Sequence, residues 1–269
     1  MAGEDSGVLR RAPLVVSLVH MNDRPSIEIC VESARSVEAA RKGGADRVEL
    51  CSALELGGLT PSPGVITRAA TVPDVQLIVL LRPRAGDFCY DEQDEATMLS
   101  DLEFIRESGA HGVAVGALEP DGSLDIGLLE CLAAHAGELE LVCHRAFDLC
   151  SDPFAALEEL CRMGFSGVLT SGQAQTAVDG APLIAQLVEA AGDRLQVRAA
   201  GKVRPDNAAP LIAATGCSAL HASAGSRRAS PCVPRIGAPQ LGSSSDESEW
   251  NETDPLLVYE LVEAARAPR

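Results

Sequence analysis

"RVELCSALELGGLTPSPG", residues 47–64, runs as a short strand into a loop rich in glycine and proline. With a side-chain period of two, Val48 and Leu50 take one face of that strand, and Glu49 and Cys51 the other. Upstream, "SIEICVES" at 26–33 repeats the pattern, setting Ile27, Ile29 and Val31 against Glu28, Cys30 and Glu32. Working outward, six more apolar runs follow at 76–82, 112–118, 139–146, 167–172, 195–201 and 219–224. Between them lie amphipathic stretches such as "SARSVEAARKGG" and "DPFAALEELCRMGF", and the recurring "GGADRV", "SGAHGV" and "MGFSGV" each read as a helix end turning into a buried strand. Eight such strand-then-helix units predict an α/β fold, a single (β/α)8 TIM barrel. A doubly wound open sheet is the alternative, but its G-x-G-x-x-G fingerprint is missing after the first strand.

The chain of 269 residues is long enough for one large core. Its expected organisation is an N-terminal extension over 1–25, poorly ordered, and a barrel domain over 26–269. A mobile loop is expected near 225–252, where serine, proline and glycine concentrate, with "DPLLVYELVEAARA" as a closing helix. The formal charge of −17 and pI near 4.6 speak against nucleic acid or an anionic membrane as partner, since both call for a basic face. No run reaches the roughly 20 apolar residues of a membrane span. "RRAPLVVSLVHM" at 10–21 has two arginines before an apolar run but lacks an obvious cleavage site. Nine cysteines, an odd number and many inside apolar runs, do not form a disulfide framework and fit a reducing cytoplasm.

Barrel enzymes carry their working groups at the C-terminal ends of the strands. That rim here collects Glu28, Cys30, Glu32, Glu49, Cys51, Arg82, Arg84, Asp87, His144, Arg145, Asp148, Thr170, Ser171, His221 and Ser223, while the strand starts look plain. The apolar faces of the first two strands must meet helices, so Glu28, Cys30, Glu49 and Cys51 point into the barrel. An inward carboxylate needs a counter-charge, and Arg82 or Arg84 is expected to supply it. The bland reading of the glutamates is a buried salt-bridge layer plugging the barrel. His144, in "CHRAFD", is a candidate general base oriented by Asp148 or a glutamate, with a hydrogen-bonded core histidine as the alternative. The "SGQ" and "SAGS" turns after the sixth and eighth strands offer backbone N–H groups to an anion.

Cys143, Cys161 and Cys217 read as small buried hydrophobes. Cys30 and Cys51 differ, because neighbouring parallel strands lie about 4.8 Å apart and two thiols near one height share a soft cation such as Cu(I).

"EICVES", "GGADRVELCSALELGGLTPSPG", "LRPRAGDFCY", "HRAFD", "LTSG" and "LHASA" occur in this order across residues 27–224, and through them the chain resembles the CutC copper homeostasis protein family. The resemblance implies a barrel, a cytoplasmic and also nuclear location, a homo-oligomer (a tetramer), and copper as partner. It places a Cu(I) site at Cys30 and Cys51, with Glu28, Glu49, Arg82, Arg84, Asp87, His144 and Asp148 on motif positions without a fixed role. One departure is the end of the seventh strand, Ala199-Ala200-Gly201-Lys202, where similar proteins carry glycines; an anion held against that backbone in relatives is in doubt here. Two functions follow. The chain is a Cu(I)-binding protein, or it is a barrel enzyme of unassigned reaction in which Glu28, Glu49, Arg82, Asp87, His144 and Asp148 act on a small anionic or sugar-like molecule.

Overall fold

Eight parallel strands close into a barrel in sequence order: β1 (Ser26–Val31), β2 (Arg47–Leu50), β3 (Gln76–Leu80), β4 (Gly112–Val115), β5 (Glu140–Cys143), β6 (Gly167–Thr170), β7 (Gln196–Ala199) and β8 (Ala219–Ala222), with β8 pairing β1. This arrangement comes from a computed structural model that describes residues 24–232 and 248–267. Helices α1 (Ala34–Lys42), α2 (Pro63–Ala69), α3 (Glu92–Glu107), α4 (Ile126–Ala136), α5 (Pro153–Arg162), α6 (Ala181–Ala191), α7 (Pro205–Thr215) and α8 (Pro255–Arg266) form the outer ring. The predicted (β/α)8 barrel is the observed fold.

The local code for the helices is plain. Ser33, Asp91, Asp125, Asp152 and Asp254 each cap a helix by accepting a backbone N–H from its first turn. Proline stands in the first turn of α2, α5, α7 and α8, where its missing N–H costs nothing.

The pleat divides the core into two shells. Ile27, Ile29, Val31, Val48, Leu50, Val79, Val113 and Val168 pack outward against the helices. Inside the barrel, Cys51, Ile78, Leu80 and Ala114 make one apolar group, and Val142, Leu169 and Ala200 another. The inward parity read from the sequence for Glu28, Cys30, Glu49 and Cys51 therefore holds.

Residues 225–252, expected to be a loop, begin and end in order: β9 (Gly225–Ala229) pairs antiparallel with β10 (Glu249–Thr253). Residues 233–247 and residues 1–23 of the expected extension over 1–25 lie outside the described residues.

Candidate functional site at the barrel mouth

Charge lies at the bottom of the barrel as well as at its mouth. Arg47 Nε donates to Glu28 Oε2 at 2.6 Å, and Arg47 Nη1 to both oxygens of Glu140 at 3.0 and 3.1 Å. Arg198 Nε stands 3.6 Å from Glu28 Oε1, with its Nη2 donating to Gln196 Oε1 at 2.7 Å. Burial alone would raise the pKa of Glu28; Arg198, the His221 hydrogen bond and Arg47 outweigh it and hold the carboxyl far below the ordinary range. Glu28 is thus the buried salt-bridge layer of the bland reading.

The expected counter-charges were misplaced. Glu49 pairs in register with Ile78, and Arg82 stands four residues beyond Ile78, too near the mouth to reach the floor. Arg82 instead donates to Leu56 O at 3.1 Å, Gly58 O at 2.9 Å and Gly86 O at 2.8 Å, and its guanidinium lies 4.7 Å over the Phe88 ring. It ties two mouth loops together. Arg84 binds Asp94 at 2.7 Å and Asp87 at 3.0 Å, so Asp87 sits on an exposed loop outside the cavity. The strand starts expected to be plain supply the true partners, Arg47 and Glu140 at the first positions of β2 and β5 and Arg198 within β7.

Above this floor opens a cavity of about 610 Å³, lined among others by Cys30, Glu49, Cys51, Arg82, His144 and His221. His221 Nδ1 meets Glu28 Oε1 at 2.8 Å, and its Nε2 stands 3.8 Å from Glu49 Oε2. Burial alone would depress the pKa of His221; its hydrogen bonds with Cys30 and Glu28 and the charge of Glu49 reverse this and raise it well above that of a free imidazole. Glu49 behaves differently from Glu28. It has no hydrogen bond from another side chain or backbone among the described residues, and burial raises its pKa despite His221.

Cys30 lies opposite Glu49 in the β1–β2 register, so Cys51 is one inward step nearer the mouth than Cys30. The Cys51 thiol is fully buried and donates to Val31 O at 3.4 Å. Burial, then the Glu49 charge, push its pKa well above the ordinary thiol range. Gly58, at φ +88°, passes directly over this wall: a Cβ there would come within 2.7 Å of Leu80 Cδ2. Glu32 turns away to accept the Leu54 N–H at 3.0 Å.

His144 follows β5 and caps the short 3₁₀ turn Arg145–Leu149, where its Nδ1 accepts the Ala146 N–H at 3.1 Å. The proton is therefore on Nε2, which is buried without a partner. Burial, reinforced by Arg82, pushes the pKa of His144 down to about 3, so the ring is neutral. Gly116 makes room for it: a Cβ there would meet His144 Cε1 and Nδ1 at 2.7 Å.

Asp148 does not orient His144. Its oxygens accept from Thr170 Oγ1 at 2.6 Å, Ser171 N at 2.9 Å, Ser171 Oγ at 3.0 Å and Arg145 Nε at 2.7 Å. With the Gln173 N–H also on Asp148 and the Gly172 N–H on Thr170 Oγ1, the "SGQ" amides are consumed internally and offer nothing to an anion.

This is a (β/α)8 barrel protein whose mouth combines two thiols, a neutral histidine and a carboxyl that, among the described residues, has only His221 for a charged partner, over a sealed ionic floor. The family profile described as the CutC family matches residues 26–226, and the chain belongs to that family. It is 42% identical to the CutC family protein of Glaesserella parasuis over 236 residues, covering 88% of this chain and 97% of that one. It is 44% identical to that of Parabacteroides distasonis over 239 residues, covering 88% and 98%. A solved structure of CutC from Streptococcus agalactiae, whose name ties it to copper homeostasis, matches with a TM-score of 0.71 and 29% identity over 74% of this chain and 98% of that one. The phosphoribosylanthranilate isomerase of Thermotoga maritima, at 13% identity and a TM-score of 0.53 over 91% of this chain and 100% of that one, shares the fold alone. Among the described residues no helix is long and apolar enough to cross a membrane.

Proposed function

We propose that this chain handles copper by holding one Cu(I) ion per subunit between Cys30 and Cys51. The observation that carries the reading is the placement of two free thiols on neighbouring strands in one cavity wall, one inward step apart. Thiolates are soft donors and select Cu(I) over the hard divalent ions. Among the described residues no group of three or more His, Cys, Asp or Glu side chains is placed to hold a metal. A two-thiol donor set falls short of the four ligands of structural zinc and the oxygen cage of calcium, and suits an ion content with few ligands. The name of the Streptococcus agalactiae relative supports copper as the cargo.

Because burial keeps Cys51 protonated, the ion must displace that proton on binding. His221, held cationic beside Cys30, offsets the charge of the two thiolates. X-ray absorption at the copper edge of the Cu(I)-loaded protein tests the donor set: two sulfur neighbours are expected, and a shell of nitrogen and oxygen would overturn it.

The same reading places the protein in a reducing compartment, cytoplasm and nucleus, and none of the nine cysteines is paired. It also includes a homo-oligomer. Light scattering giving the 28.0 kDa monomer mass at micromolar protein would remove that part.

A further inference from the structure

The cavity is larger than a two-thiol site needs, and its lining carries groups that copper does not use. His144 Nε2–H and Arg82 Nε–H are buried donors with no partner. Such orphans are rare, because a buried donor that has lost water and found no acceptor is destabilising. Neither orphan can be relieved by turning the side chain: His144 Nδ1 is fixed on the Ala146 N–H, and the other nitrogens of Arg82 are fixed on three carbonyls. Both residues line the cavity.

The same cavity is rimmed by Lys202 and Arg204, both exposed and neither in an ion pair among the described residues. Arg145, the third cation of the rim, is already neutralised by Asp148. In a chain of formal charge −17, two unpaired cations at one opening are out of character. Lys202 moreover holds a left-handed backbone, φ +57°, a conformation suited to glycine. Lys202, directly after Gly201, is thus a cation kept in a glycine's conformation at the mouth.

We propose that this side of the cavity binds a small phosphate monoester, its phosphate held by Lys202 and Arg204 at the rim and an oxygen of its organic part accepting from the Nε2–H of His144. At the rim, Lys202 and Arg204 supply two free cations for the dianionic charge of a monoester, and the Arg82 guanidinium, also without a carboxylate partner among the described residues, adds positive charge to the cavity lining. A volume of about 610 Å³ accommodates a molecule of a few carbons with its phosphate. The inference does not rest on the copper reading, since it uses neither Cys30 nor Cys51.

The test is calorimetric titration of the full-length, metal-free protein with inorganic phosphate, dihydroxyacetone phosphate and pyruvate. The ester is expected to bind wild type about ten-fold or more tighter than inorganic phosphate, and pyruvate more weakly than either. Lys202→Ala with Arg204→Ala is expected to weaken both phosphates by about ten-fold or more, as loss of charge-assisted contacts does. His144→Phe is expected to weaken the ester and leave inorganic phosphate unchanged; His144→Gln, which keeps a side-chain N–H, should recover part of the loss. The double variant changes two exposed side chains and keeps the backbone bonds that Asn207 makes to both residues, so it remains decisive even if His144→Phe fails to fold. No phosphate binding by wild type, binding unchanged in the double variant, or pyruvate binding as tightly as the ester would each overturn the proposal.

Discussion

Arg47 Nε donates to Glu28 Oε2 at 2.6 Å at the floor of the barrel, and both side chains are almost fully buried. Removing the cation strands a carboxylate that Arg198 and His221 alone must compensate. Arg47→Met is expected to cost about 3–5 kcal/mol, the usual penalty for breaking a buried pair on one side. Urea unfolding of wild type and variant measures it; a loss below about 1 kcal/mol would show that the floor is held by packing instead.

Glu49 presents the contrast. Two residues along the same strand, it has no arginine, and its nearest charged neighbour is His221 Nε2 at 3.8 Å. Burial already disfavours its charge. Glu49→Gln keeps the shape and removes the charge, so a change in stability of less than about 1 kcal/mol is expected, set against several for Arg47. Thermal unfolding of the two variants side by side decides whether these carboxylates differ as described.

The difference between the two glutamates marks how far the sequence can be read. Alternation in "SIEICV" and "RVEL" places both carboxyls inside, and the count of eight runs predicts the barrel. Parity also places Arg47 inside, on the face of Glu49 and Cys51, but at the start of the strand, away from the rim where barrel enzymes carry their working groups. What parity cannot supply is height. Only the register, Cys30 against Glu49 and Glu49 against Ile78, shows that Arg82 stands far above the carboxyls it was expected to meet. The proton on His144 Nε2 was likewise out of reach, because it depends on one backbone N–H in a turn that follows the strand.

His144 should leave a mark on the pH dependence of stability. Burial and Arg82 lower its pKa from 6.5 to about 3, so between those values the unfolded chain takes up a proton that the folded chain refuses. Stability from this group is intact above pH 6.5 and falls as the pH drops, by at most about 1.4 kcal/mol per pH unit. His144→Phe removes the titration. Relative to wild type, the variant should lose less stability on going from neutral pH to pH about 5, by about 2 kcal/mol. Urea midpoints at the two pH values test this; parallel losses would mean that His144 is hydrated and charged in the folded protein.

The central claim is that Cys30 and Cys51 together hold Cu(I), and anaerobic competition against a Cu(I) chelator tests it most directly. Wild type, Cys30→Ser, Cys51→Ser and Cys161→Ser are compared, the last on α5 away from the cavity lining. Wild type should take one equivalent more tightly as pH rises, because the buried Cys51 thiol must lose its proton to bind. Each of Cys30→Ser and Cys51→Ser should weaken binding by about a hundred-fold or more, with Cys161→Ser matching wild type. Equal affinity in all four proteins would contradict the account.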